Sequence, residues 1–225
     1  MNIPVIFEDD TILIINKPSG LVVHPYDFST EETLLDFLHA HSPEMFSIEN
    51  SVTLQDGRTI ALGGIVHKLD RETSGVMVAA KNEETFKELR EQFIDHRVEK
   101  VYVAMVEGAV EQDVFTIDAP LGRNKKEYKQ KVNPENPRGE LREAVTDVRV
   151  ITRHDTTTLI ELKPKTGRTH QLRAHMAYIG HPIVGDIAYG STVKDSRIML
   201  HAKSLTCILQ GRQKTFEAVP PEIFV

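Results

Sequence analysis

Apolar residues along this chain fall mostly in short runs and two-residue alternation, and only three stretches follow the period of a helix. Residues 12–15 and 76–80 are short apolar runs, and the first closes on Asn16-Lys17-Pro18-Ser19-Gly20, the chemistry of a strand entering a turn. Residues 101–106, 114–117, 144–151, 157–162 and 197–209 are rich in β-branched and apolar side chains, as strands require. The clearest helix runs from an Asn82 cap to about Asp95, with Glu83 and Glu84 in its first turn and Phe86, Leu89 and Phe93 on one face. A short helix is expected over 33–40. Another is expected from Thr169 to Gly180, with Leu172, Met176 and Ile179 turned to the core. Residues 42–64 are polar and weakly patterned, with Asp56-Gly57 as a hairpin turn. Strands outnumber helices and do not alternate with them, which predicts an α+β fold with a mainly antiparallel sheet. No repeat, low-complexity tract or linker divides the sequence, so residues 1–225 are expected to form one domain.

Composition narrows the function classes. No run of about 18 apolar residues exists, so no membrane-spanning helix is expected, and the first residues lack the pattern of a secretory signal. Cys207 is the single cysteine, which rules out an internal disulfide and a cysteine-rich zinc site and makes the cytoplasm the default location. The net charge of −6 argues against nucleic acid, but it is unevenly spread: residues 1–60 carry −8, leaving +2 for the rest. Five cations against one acid lie between Arg123 and Lys131, and four with no acid between Lys163 and Arg173. Local clusters of this kind set the field a polyanion meets. They could equally be solvated surface charge.

Three segments carry candidate chemistry. In residues 64–75 Asp70 sits between apolar residues and a small-residue turn, where an ionised carboxylate needs a cationic or hydrogen-bonding partner. A turn-forming Asp is the structural alternative. In residues 163–175, Arg168 and the free N–H groups of a helix opening at Thr169 would suit a phosphate. Arg173 lies at the edge of the buried stripe, where its guanidinium could meet Asp70 and hold the carboxylate ionised, or could be a surface cation. In residues 100–106 Tyr102 points to the strand face opposite Val101 and Val103; a core tyrosine with a bonded hydroxyl is the ordinary reading. Metal chemistry finds no support, because His170 and His175 are five residues apart rather than four. Phosphate-binding loop, dinucleotide fingerprint and serine nucleophile elbow are all missing.

The same segments resemble the RluA family of pseudouridine synthases. Residues 67–75, HKLDRETSG, are similar to its central His-Arg-Leu-Asp-x-x-Thr-Ser-Gly block. LIINKPSGLVVHP (13–25) is similar to its first block, and TGRTHQLRAHM (166–176) with GHPIVGDIAYG (180–190) to its third. The resemblance implies a single catalytic domain with a mixed, mainly antiparallel sheet and a central active-site cleft. It implies that Asp70 is the catalytic aspartate, Tyr102 the residue that takes the C5 proton, and Arg173 the partner of the aspartate. Uridine isomerisation needs no cofactor and no metal; the aspartate can act as nucleophile or abstract a sugar proton. The target base must be extruded from its helix. The family inserts an arginine two residues before the aspartate into the vacated space, where this chain has Lys68.

Nothing before Val5 could encode the S4-like RNA-binding domain of some relatives, so RNA contacts are expected from the catalytic domain itself. Lys68, Arg71, Arg123, Lys129, Lys131, Arg168 and His170 are the expected RNA-binding residues, the partner being a ribosomal or transfer RNA stem-loop bound by a monomer with no membrane association. Residues 42–64, long for a compact member, are expected to shape target choice. Two other classes compete: an RNA-folding protein without catalysis, and a nucleoside hydrolase that would release uracil.

Overall fold

The computed structural model describes residues 2–25, 31–54, 56–123, 129–135, 137–195 and 197–224. In chain order the strands and helices are β1 (Val5–Glu8), β2 (Ile12–Lys17), α1 (Leu34–His41), β3 (Ser51–Thr53), β4 (Thr59–Ala61), β5 (Ser74–Ala80), α2 (Glu83–Ile94), β6 (Glu99–Glu107), β7 (Val114–Asp118), β8 (Leu121–Arg123), β9 (Gln130–Val132), β10 (Val145–Arg153), β11 (Thr157–Pro164), α3 (Gln171–Tyr178), β12 (Leu200–Leu209) and β13 (Arg212–Glu217). No helix among the described residues is long and apolar enough to cross a membrane.

The chain divides into two compact units. One comprises Met1–Val98 with Ser204–Val219, the other Glu99–Lys203 with Pro220–Val225. In the first, β2 lies between β1 and β5, antiparallel to both, with Ile12 opposite Ala80 and Asn16 opposite Val76. Every residue of β5 is buried and nearly every residue of β2, which is why both read as apolar runs and not as alternation. Leu34, Leu35 and Leu38 of α1 are buried, and Asp36 Oδ2 ties the start of that helix by accepting from both the N–H and the Oγ1 of Thr33. The Asn82 side chain accepts from the Thr85 N–H and begins α2 where expected. Gln92, fully buried on that helix, donates to the Ile208 carbonyl and accepts from its N–H, fixing α2 to β12. β3 and β4 form a hairpin over Asp56-Gly57, with Gly57 at φ +87°.

The second unit has the strand order β6-β11-β10-β7, again antiparallel throughout. Its core packs Val103, Ala104, Val106, Ile160, Leu162 and Val148 of these strands against Leu172 and Met176 of α3. β8 and β9 form a separate small ladder. Residues 124–128, the middle of the expected basic cluster, lie outside the described residues. The mainly antiparallel α+β expectation therefore stands. One helix boundary needs correction: α3 begins at Gln171, not Thr169. His170 precedes it with φ +53°, a left-handed conformation that ends the preceding turn and cannot open a helix.

Candidate active site

The segment carrying Asp70 is fastened by its main chain. The Gly64 carbonyl accepts from the Ala80 N–H, and a Cβ at Gly64 would lie 1.7 Å from the Ala80 oxygen, so only glycine permits this approach to β5. Asp70 opens a tight turn in which its carbonyl accepts from the Thr73 N–H at 3.1 Å. The turn after β2 then grips the far side: Ser19 Oγ donates to the Glu72 carbonyl at 2.6 Å, and the Gly20 N–H donates to the Arg71 carbonyl. Lys17, fully buried, donates Nζ to the carbonyls of Pro18 (2.8 Å), Leu21 (2.7 Å) and Arg71 (3.0 Å). All three of its donors are used, which is the condition for burying an ammonium. The result is a half-buried Asp70 on a backbone turn fastened by Lys17, Ser19 and Gly20.

Its neighbours are disposed differently. Lys68 is exposed. Arg71 is exposed and pairs with Glu31 at 2.6 Å. His67 accepts from the Val78 N–H at Nε2 and stacks on Phe93, with centroids 4.6 Å apart and planes 14° apart. His67 is thus a structural side chain.

In the other unit Tyr102 is half-buried on β6, opposite Leu162 of β11 and packed against the core. Lys100, two residues earlier and so on the same strand face, has its ammonium pulled below the usual lysine range by burial. Arg173 projects from α3 and is 8% exposed. Its Nε donates to Asp186 Oδ2 at 2.6 Å and its Nη2 to Oδ1 at 2.8 Å, a two-pronged bond to a carboxylate that is itself buried. The guanidinium carbon lies 4.8 Å from the centre of the Tyr189 ring. The Tyr189 hydroxyl accepts from the Gln130 N–H and is bonded to His170 Nδ1 at 3.0 Å. Asp186 and Tyr189 went unremarked in the sequence although both stand in the GHPIVGDIAYG block; only an Arg and an Asp thirteen residues apart hinted at a pair.

The start of α3, where a phosphate site is expected, is tied to the chain's own polar groups. The Gln171 side chain folds back over it: Oε1 accepts from the Arg168 N–H and Thr166 Oγ1, while Nε2 donates to the Val145 carbonyl and Thr146 Oγ1. Arg168 directs its Nε to the Glu143 carbonyl. Thr146 Oγ1 lies 2.9 Å from His175 Nδ1, and His175 Nε2 lies 3.0 Å from the Ala119 carbonyl. Burial holds His175 below the usual imidazole range, only partly offset by the Ala119 bond. Of the other expected RNA-binding residues, Arg123 is exposed at the end of β8, and Lys129 and Lys131 are half-buried, Lys129 donating to the Ala188 carbonyl. No group of three or more His, Cys, Asp or Glu among the described residues is placed to hold a metal ion.

Comparison with known proteins draws these features together. Residues 11–178 match the family model described as RNA pseudouridylate synthase, a span that contains Asp70, Tyr102 and Arg173. An uncharacterised RNA pseudouridine synthase of Bacillus subtilis is 36% identical over 99% of this chain and 70% of its own length. The ribosomal large subunit pseudouridine synthase D of Borreliella burgdorferi is 38% identical over 91% of this chain; the chain spans 61% of that relative. Among solved structures, human RNA pseudouridylate synthase domain containing 1 superposes with a TM-score of 0.78 at 26% identity, covering all of this chain and 85% of its own. The chain belongs to the RluA family of RNA pseudouridine synthases, isomerases that act on RNA.

Proposed function

We propose that this protein converts a specific uridine of structured RNA to pseudouridine, with Asp70 as the group that acts on the nucleotide. One observation supports this above the others: the Asp70 turn is secured through its backbone carbonyls by Lys17, Ser19 and Gly20. A turn so held keeps a half-buried carboxylate in place through its main chain. Geometry fixed in advance is what a reaction on an extruded base requires.

In the reaction the bond between N1 and C1′ breaks, the uracil turns, and a bond forms between C5 and C1′. Asp70 either bonds to the sugar or removes a sugar proton to release the base, and Arg173 pairs with its carboxylate. Tyr102 takes the proton that C5 loses, and N1 gains one, so the product is an isomer. No redox or energy-supplying group enters this balance. Lys68, exposed beside Asp70, enters the space that the base vacates, and Arg71, Arg123, Lys129, Lys131, Arg168 and His170 meet the RNA backbone. Ribosomal RNA is favoured over transfer RNA because several relatives are named for the large ribosomal subunit. The protein acts as a monomer in the cytoplasm.

Release of tritium from RNA labelled at uridine C5 tests the reading. Release is expected from the wild type and from no Asp70→Ala sample. Tritium from both proteins, or free uracil in place of an isomerised nucleotide, would rule it out.

A further inference from the structure

We infer that Asp186 and Tyr189 are positioning residues for the proposed reaction, together clamping the Arg173 guanidinium in one orientation; the inference rests on the role given to Arg173 above. The argument begins with cost. Asp186 is 1% exposed and Arg173 8%. Taking both charges out of water consumes most of what their attraction returns, and apolar side chains of similar volume commonly serve stability as well or better. A pair this deep is a poor device for stability alone.

The geometry indicates what it does instead. Asp186 takes the guanidinium along one edge, through Nε and Nη2, and so fixes the plane of the group as well as its distance. Nη1 then points away from Asp186 in a set direction. The Tyr189 ring supports one face of that plane at 4.8 Å. Asp186 itself cannot turn freely. Its N–H donates to the Ile183 carbonyl, and its own carbonyl accepts from the Tyr189 and Ser191 N–H groups. Behind it the chain has no latitude, since Gly185 has φ +82° and a Cβ there would lie 2.2 Å from the Arg197 oxygen. Tyr189 is held in turn by the Gln130 N–H and His170 Nδ1. The clamp therefore has rigid walls on an edge and a face, and both carry a single guanidinium. A lysine at 173 could keep the charge but could not be gripped in this way.

Asp186→Asn keeps the shape but offers an NH2 to one of the two Arg173 donors. The single-turnover rate is expected to fall by about 10- to 100-fold, the size of effect that a misplaced catalytic group produces. RNA affinity should stay within about 2-fold, because no phosphate contact is removed. Tyr189→Phe keeps the ring face and should retain most of the rate, whereas Tyr189→Leu should lose it. Added guanidinium should partly restore Arg173→Ala but not the Arg173→Ala/Asp186→Asn double variant, which lacks the anchor. All rates are taken where circular dichroism shows each protein folded. An Asp186→Asn protein that is folded and turns over at the wild-type rate overturns the inference. So does guanidinium rescue that is indifferent to Asp186. If Asp186→Asn does not fold, the Tyr189 pair decides: equal rates for Phe and Leu count against the clamp. Asp70→Ala in the same assay separates the two ideas. Should it remain active, the proposed reaction role fails; should it be dead while the Asp186 and Tyr189 variants are unaffected, only the clamp fails.

Discussion

Replacing Lys17 by methionine removes the ammonium under the Asp70 turn while leaving the stem that fills its channel. Three carbonyls lose a charged donor, but the loss is unequal. The Arg71 carbonyl keeps the Gly20 N–H, whereas the Pro18 and Leu21 oxygens have Lys17 as their one donor among the described residues. Two stranded acceptors at about 1–3 kcal/mol each give roughly 2–6 kcal/mol of destabilisation. Part of this is returned because a thioether, unlike an ammonium, has no large hydration to forfeit, so about 2–4 kcal/mol is the expected net. For a chain of this size that lowers the thermal midpoint by roughly 4–16 °C. The assay is a thermal melt followed by far-ultraviolet circular dichroism, paired with single-turnover tritium release well below the variant's midpoint. The rate should fall further than the loss of folded protein explains, since the turn bearing Asp70 has lost one of its fastenings. A Lys17→Met protein that melts within a degree of the wild type, and reacts as fast, would refute the view that this lysine carries the turn.

Three further outcomes are expected. Lys68→Arg adds a planar group able to stack on neighbouring bases, and should raise RNA affinity or rate by about 2- to 5-fold; no change in either, by filter binding and single-turnover kinetics, would show that stacking at this position is irrelevant. His175 has its folded pKa lowered by burial, so the unfolded chain binds the proton more readily. Stability from this site is whole above the ordinary imidazole pKa and declines as pH falls below it, by at most about 1.4 kcal/mol per pH unit. Urea midpoints at pH 7.5 and 5.5 should therefore converge in His175→Gln relative to the wild type, and an unchanged difference would contradict the assignment. The Cys207 thiol, pushed up to about 11 by burial and by Glu88, should resist alkylation at pH 8 until the chain is unfolded; rapid labelling of the native protein would show the site to be open.

What the sequence disclosed was whatever is encoded locally. The α2 helix was legible because its cap, its acidic first turn and its apolar stripe all lie within one short window. Strands β2 and β5 were legible because burial on both faces turns them into apolar runs. β1 and β13 escaped notice: every residue of β1 is exposed, and β13 is mostly polar. Its hairpin did leave a trace in Gln210-Gly211, a two-residue turn with φ of +51° and +71°. At the site, the blocks around Asp70 and Arg173 were visible as motifs, but not what holds them. Lys17 finds Arg71 across 54 residues and His175 finds Thr146 across 29, distances closed by strand topology and invisible to any local pattern. The start of α3 was misjudged because Thr169 is a good cap by type, while the backbone turns one residue later at His170.

The bonds around Gln171 have a consequence for how hydrogens are arranged inside the second unit. The side-chain nitrogen of Gln171 can only give, and the Ala119 oxygen can only receive. Between these two ends stand a hydroxyl and an imidazole, each able to play either part in isolation. While the ring is neutral the Ala119 end sets the direction: His175 must carry its hydrogen on Nε2, so Nδ1 receives, and Thr146 passes its hydrogen there while accepting from Gln171. The row is a one-way wire whose polarity is decided by a main-chain oxygen, and protonating the ring is what would reverse the bond between Thr146 and His175.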